Sequence, residues 1–234
     1  MLPRSSQGSL ISFALLGHRV SISATYGLLL FLLASNRADP LDGVLVAAVV
    51  TVSILWHELG HAFAFARFGC GHSSIVLHGF GGVTINGFGG GLSRRRRMLT
   101  AAAGPAAGLL LAVPFTILEL PYLFPTVDMP SWLSASAVAV ADQPRAALAV
   151  TTFFYVNGVW SLLNLLPIHP LDGGQILLGF VTPFSKRPAR LVAGVSLTLT
   201  LALMVWALRA SNTWMVVMLA LMGYESYELW RRGR

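Results

Sequence analysis

The sequence predicts an all-α polytopic membrane protein of six transmembrane helices, with a short membrane-associated β region between the second and third. Three observations lead there. Of the 234 residues, 55% are hydrophobic and only 11% charged, a composition foreign to soluble domains. The apolar residues gather into runs of about 16–23, near the length that crosses a bilayer. The cations sit at the ends of those runs, and thirteen of the sixteen fall on one side when the spans alternate. Both termini are therefore expected in the cytoplasm. Fifteen arginines to one lysine suggest a bacterial source and hence the cytoplasmic membrane. The chain reads as one domain, 1–234.

Taken in order, Ser9–Leu15 is short and partly alternating, and reads as a surface strand. The first span covers 20–35. It is read as retained rather than as a signal peptide, because about twenty residues precede it and no A-x-A site follows. Asn36-Arg37-Ala38-Asp39-Pro40 is a turn. The second span covers 44–66. A glycine-rich β/loop region, 69–93, contains two β-like pieces, Ser74–Leu77 and Gly82–Ile85, and ends in Arg94-Arg95-Arg96-Arg97. It is not a P-loop, since no Gly-Lys-Ser/Thr follows. The third span, 98–120, opens with Ala101 to Gly108, a small-residue face on which another helix can lie close. Pro121, Pro125 and Pro130 punctuate a loop of about 25 residues that holds Trp132. The fourth, fifth and sixth spans cover 146–166, 191–208 and 213–229. No internal repeat is visible.

Inside the second span stands Trp56-His57-Glu58-Leu59-Gly60-His61. Histidines four apart share one helix face, so His57 and His61 can reach a single Zn²⁺ while Glu58 serves as base on its water. Ionisable groups inside a membrane cost about 2.5–3.5 kcal/mol each on insertion scales and mark function. A metal would offset that cost. The fourth span runs into Asn164-Leu165-Leu166-Pro167-Ile168-His169-Pro170-Leu171-Asp172-Gly173-Gly174. In the alternating topology Asp172 and the two histidines lie at comparable depth on the same side. Asp172 is then a carboxylate ligand completing three protein ligands, or a turn-capping residue of an Asp-Gly turn. His169 is the rival third ligand. His18, His72 and His78 read as interfacial or loop residues. Cys70, the single cysteine, excludes a disulfide framework and reads as a small reduced side chain. The net charge of +7 lacks the basic, aromatic-interleaved face that nucleic acid requires.

H-E-L-G-H on one span with N-x-x-P-x-x-P-L-D-G-G at the end of a later one resembles the site-2 protease family of intramembrane zinc metalloproteases. Gly79-Phe80-Gly81-Gly82 is similar to that family's glycine-rich strand region, and Ala103-Gly104-Pro105 to its third core span. The resemblance implies one zinc per chain held by His57, His61 and Asp172, with Glu58 as general base. It also implies Asn164 as a polar stabiliser near the reacting carbonyl, although a polar tie between helices is an equally simple role for it. Gly108 departs from the pattern, since many members carry asparagine there. No stretch accommodates a PDZ or CBS domain. The implied substrate is a single-span membrane protein in the bilayer, such as an anti-sigma factor, cut to release a fragment toward the cytosol. The unwound substrate could pair with the 74–90 region as a strand. A divalent-cation transporter, a catalytically inactive membrane-protein-binding relative and a lipid hydrolase are the alternative readings.

Overall fold

The computed structural model describes residues 9–87 and 91–233. Arg4 and Arg234 of the charge count, and residues 88–90 of the glycine-rich region, lie outside them. The chain forms two compact units, Met1–Gly91 with Ala103–Leu162, and Leu92–Ala102 with Leu163–Arg234.

The first unit begins with a hairpin, β1 (Ser9–Leu15) and β2 (His18–Ser23). Leu16 and Gly17 both take positive φ between the paired Leu15 and His18, the geometry that suits a two-residue turn to strand twist. β2 then pairs in parallel with β3 (Ser74–His78), and β3 antiparallel with β4 (Gly81–Ile85). The sheet order is β1-β2-β3-β4, so β4, like β1, is an edge strand, with no further strand beside it among the described residues. The two pieces expected between the second and third spans are thus β3 and β4, and Ser9–Leu15 is the expected strand.

Two expectations need correction here. The fold is not all-α, because an N-terminal hairpin extends the β region to four strands. The first span does not start at residue 20: Val20 to Ser23 belong to β2, where Val20 and Ser21 are buried. Arg19-Val20-Ser21-Ile22 alternates polar and β-branched residues with period two, and that pattern prevails over mean hydropathy. The Ser23 hydroxyl accepts the Tyr26 N–H and caps α1 (Ala24–Ser35). Its 12 residues rise only about 18 Å, short of a ~30 Å hydrocarbon core.

α2 (Pro40–Arg67) starts where the turn was expected. Asp39 accepts the Leu41 N–H at 2.8 Å, and Pro40 takes the first helical position. Val20, Tyr26, Ile75 and Leu77 of the sheet and α1 bury together with Leu59 and Ala62 of α2. The core of this unit therefore lies directly behind the H-E-L-G-H turn. α3 (Arg94–Leu123) contains Pro105, Pro114 and Pro121, each tolerated as spanning helices tolerate proline. It thus continues past Pro121, where a loop was expected. That loop also contains α4 (Ser131–Ala141), whose N-cap is Pro130 with its φ fixed by the ring. The fourth span is α5 (Pro144–Phe153), a π-helical turn at Phe154–Val159 and α6 (Trp160–Asn164).

The second unit contains α7 (Asp172–Val181), a helix between the expected fourth and fifth spans, then α8 (Pro188–Arg209) and α9 (Thr213–Arg232). Among the described residues, four helices are long and apolar enough to cross a membrane: Pro40–Arg67, Arg94–Leu123, Pro144–Asn164 and Pro188–Arg209. The sixth expected span is the helix α9, whose last two turns carry Glu225, Glu228, Arg231 and Arg232.

Candidate metal centre

His57 and His61 lie one turn apart on α2, and their Nε2 atoms approach to 3.2 Å with the rings at 79°. Two nitrogens bound to one tetrahedral zinc at 2.0–2.1 Å stand about 3.3 Å apart. The pair is thus already at the spacing of a shared cation. The face opposite them is made for it. A Cβ on Gly104 of α3 would sit 2.2 Å from His61 Nε2 and 2.8 Å from His57 Nε2, so any side chain there would occupy the space on which the two nitrogens converge. The donor set and the space both fit a zinc ion.

Gly60, between the histidines, explains how α3 comes so close. A Cβ at Gly60 would meet Ala103 O at 2.5 Å and Ala107 Cβ at 2.8 Å, and the Trp56 indole N–H donates to Ala107 O at 2.9 Å. Ala103, Gly104 and Ala107 of the expected small-residue face are thus the residues that meet the H-E-L-G-H turn. Gly108 has its own reason. Its missing Cβ would lie 2.1 Å from Ser161 Oγ, so Ser161 fills the position that a longer residue at 108 would take. Nearby, the buried Asn157 amide in the π turn donates to Ser53 Oγ of α2 at 2.7 Å. The sequence reading missed this tie, although an asparagine deep in an apolar span is the signal for one.

Glu58 is only 5% exposed. Its carboxylate Oε2 accepts from Thr84 Oγ1 of β4 at 2.7 Å. Gly82, on the same face of β4, lies so close that a Cβ would be 2.5 Å from Glu58 Cγ. The expected base is thus seated against an open-edged strand. Thr84 and Gly82 escaped the sequence reading because nothing in the alternation of Gly-Gly-Val-Thr-Ile says which helix it faces.

In the second unit, the helix breaks after Asn164, as Pro167 and Pro170 require, and Asp172 is the first residue of α7. The glycines that follow are dictated by close approach rather than by unusual dihedrals. A Cβ on Gly173 would lie 2.2 Å from both Leu165 O and Leu166 O, and one on Gly174 2.7 Å from Ile168 O. His169 is held by its backbone: its N–H donates to Ser196 Oγ of α8 at 2.9 Å, and its carbonyl accepts from Ser226 Oγ of α9 at 2.9 Å. Asn164 is half-buried at the end of α6.

Of the remaining histidines, His72 is an exposed loop residue. His18 is not an interfacial loop residue but a buried one on β2 (2% exposed). Its Nδ1 accepts the Ser73 N–H at 3.1 Å, which meets the cost of burial. Burial and the neighbouring His72 hold its pKa below the ordinary range. His78 ends β3, accepts the Phe80 N–H at 3.3 Å, and is likewise lowered by burial. Cys70 is buried and unpaired with any other cysteine.

Residues 129–207 match the family model described as Peptidase family M50; that segment contains Asn164 and Asp172 but not the histidine pair. Two mycobacterial relatives are named Putative zinc metalloprotease Rip2 and Rip3. The first, from Mycolicibacterium smegmatis, is 30% identical over 203 residues, covering 72% of this chain and 70% of that one. The second, from Mycobacterium tuberculosis, is 31% identical over 138 residues, covering 58% of this chain. The match spans only 30% of that relative's length. Among solved structures, the Site-2 Protease from Methanocaldococcus jannaschii superposes with a TM-score of 0.59 over 94% of each chain at 18% identity, a likeness of fold.

Proposed function

Since the chain belongs to peptidase family M50, the site-2 family of membrane zinc metalloproteases, we propose that it is an intramembrane endopeptidase. The observation that carries this reading is the convergence of His57 and His61 Nε2 at 3.2 Å beside the buried Glu58. In this reading Asp172 supplies the third ligand from the start of α7, completing the His-His-carboxylate set of a catalytic zinc. When bound, zinc supplies a Lewis acid that acidifies water toward neutrality and polarises a carbonyl.

The chain's own residues do the rest. Glu58 takes the proton of the attacking water and passes it to the leaving amine, so that water is added across the C–N bond. Asn164 donates to the oxygen on which charge develops, an effect of about 2.7–4 kcal/mol in oxyanion holes. A helical peptide bond is shielded by its own hydrogen bonds and neighbours. The substrate span therefore unwinds, and the open edge of β4 takes it up as an added strand beside Glu58. The substrate class is a single-span membrane protein, such as an anti-sigma-type regulator, and the product is released toward the cytosol. Both termini in the cytoplasm of a bacterium complete the reading, which an even number of spans such as the four long apolar helices allows; the grouping of arginine at alternate span ends supports it.

The test is cleavage of a single-span peptide by the zinc-loaded protein in detergent or vesicles. Glu58→Gln is expected to lower the rate on the order of 10²–10⁴-fold while keeping one zinc. Undiminished cleavage by that variant would remove Glu58 from the reaction. Metal flux without cleavage would favour a transporter, and peptide binding without cleavage an inactive relative.

A further inference from the structure

The carboxylate expected to move the proton does not set its own orientation. Thr84 Oγ1 stands 2.7 Å from Glu58 Oε2 and 3.0 Å from the Glu58 main-chain oxygen. A hydroxyl carries one proton. The main-chain oxygen in mid-helix already receives an N–H from the helix ladder, so the shorter, charge-assisted bond to Oε2 is the one the proton serves. Two residues earlier on the same strand face, Gly82 leaves room for the Glu58 side chain: a Cβ there would stand 2.5 Å from Cγ and 2.7 Å from Oε1. Thr84 in turn is fixed by its pairing with Ile75 of β3, which is fully buried.

We propose that Thr84 is the positioning residue for Glu58: its hydroxyl holds Oε2 while Gly82 leaves Oε1 the space in which it takes the water's proton. The inference rests on Glu58 being the base. It also explains why the strand offered to substrate and the base are one assembly. Thr84 alternates with Val83 and Ile85, the exposed residues of β4, so its hydroxyl points to α2 while the backbone edge stays open.

Without the bond, the carboxylate rotates between orientations and only a fraction of encounters find it aligned. Thr84→Val keeps the shape and removes the proton donor; Thr84→Ser keeps the donor. On a single-span peptide, Thr84→Val is expected to lower kcat about 10–100-fold with KM and zinc content unchanged. Thr84→Ser should return it to within a few-fold of wild type. In the Glu58→Gln background Thr84→Val should have no further effect, since residues acting as a unit are not additive. Should the valine variant fail to accumulate in membranes, Thr84→Ala serves the same comparison. Full kcat in Thr84→Val, failure of serine to rescue, a matching loss of zinc, or an additive loss in the double variant would overturn the assignment. Glu58→Gln acting like wild type would instead overturn the identification of the base.

Discussion

His57 and His61 stand inside the C-terminal half of a 28-residue helix, whereas Asp172 opens a helix of ten residues after a proline-broken segment. The two regions are fixed by opposite means. Around the histidines, side chains are positioned by what is absent: Gly60 lets α3 approach, and Gly104 leaves the space into which both ring nitrogens point. Around Asp172, the backbone is gripped by side chains from elsewhere, with Ser196 and Ser226 taking the N–H and the carbonyl of His169. A regular helix satisfies its own backbone and needs only room, while a broken one leaves polar groups that other helices must satisfy. The lesson is that steric changes should disable the first region and polar deletions the second.

The largest effect is expected from Gly104→Ala. The added methyl must displace both rings, so zinc affinity should fall about 100-fold or more while the helix itself, gaining a better former, loses little stability. Isothermal titration with zinc and a thermal melt of the apo protein separate the two quantities; unchanged zinc affinity would show that the rings converge elsewhere. Ser196→Ala comes next. It leaves the His169 N–H without its acceptor, at a cost of about 1–3 kcal/mol, or roughly 2–4 °C of melting temperature per kcal/mol. Ser226→Ala removes a donor from a carbonyl with a second lone pair and should cost nearer 1 kcal/mol. If the two serine variants melted like wild type, the backbone clamp would not be what secures this segment.

The smallest effect is one of pH, in the first unit's sheet. His18 has a folded pKa below its unfolded value of about 6.5. The unfolded chain therefore binds the extra proton first, and stability falls as pH drops below about 6.5 toward the folded pKa. Above that range the contribution is fully present. Melting curves at pH 7.5 and 5.5 should show the loss in wild type and a smaller one in His18→Gln. Equal losses in both would mean that His18 is already accessible to protons.

Much of this was legible in the sequence because the strongest signals are periodic or chemical. His57 and His61 four apart, the apolar runs, the arginine clusters and the paired prolines before Asp172 each carry their meaning locally. The β3–β4 pieces were legible too, since Ser74–Leu77 and Gly82–Ile85 are short runs rich in β-branched residues set between glycines. What was hidden depended on partners distant in the chain. Val20 to Ser23 is as apolar as the span it precedes, and the alternation of Arg19 to Ile22 is too short to set it apart until β1 and β3 pair with it. α4 hides between prolines that also delimit loops. α7 begins at the aspartate whose chemistry drew attention away from its helical continuation. Thr84, Ser196 and Ser226 are ordinary hydroxyls until the fold sets them against Glu58 and His169.

The most direct test of the account is zinc stoichiometry in the purified wild type beside His57→Ala and Asp172→Ala, read by elemental analysis after extensive dialysis. One zinc per chain in wild type and close to none in either variant is the predicted result. A full equivalent of zinc retained by Asp172→Ala would contradict it, because the cation would then be held without the carboxylate from the start of α7.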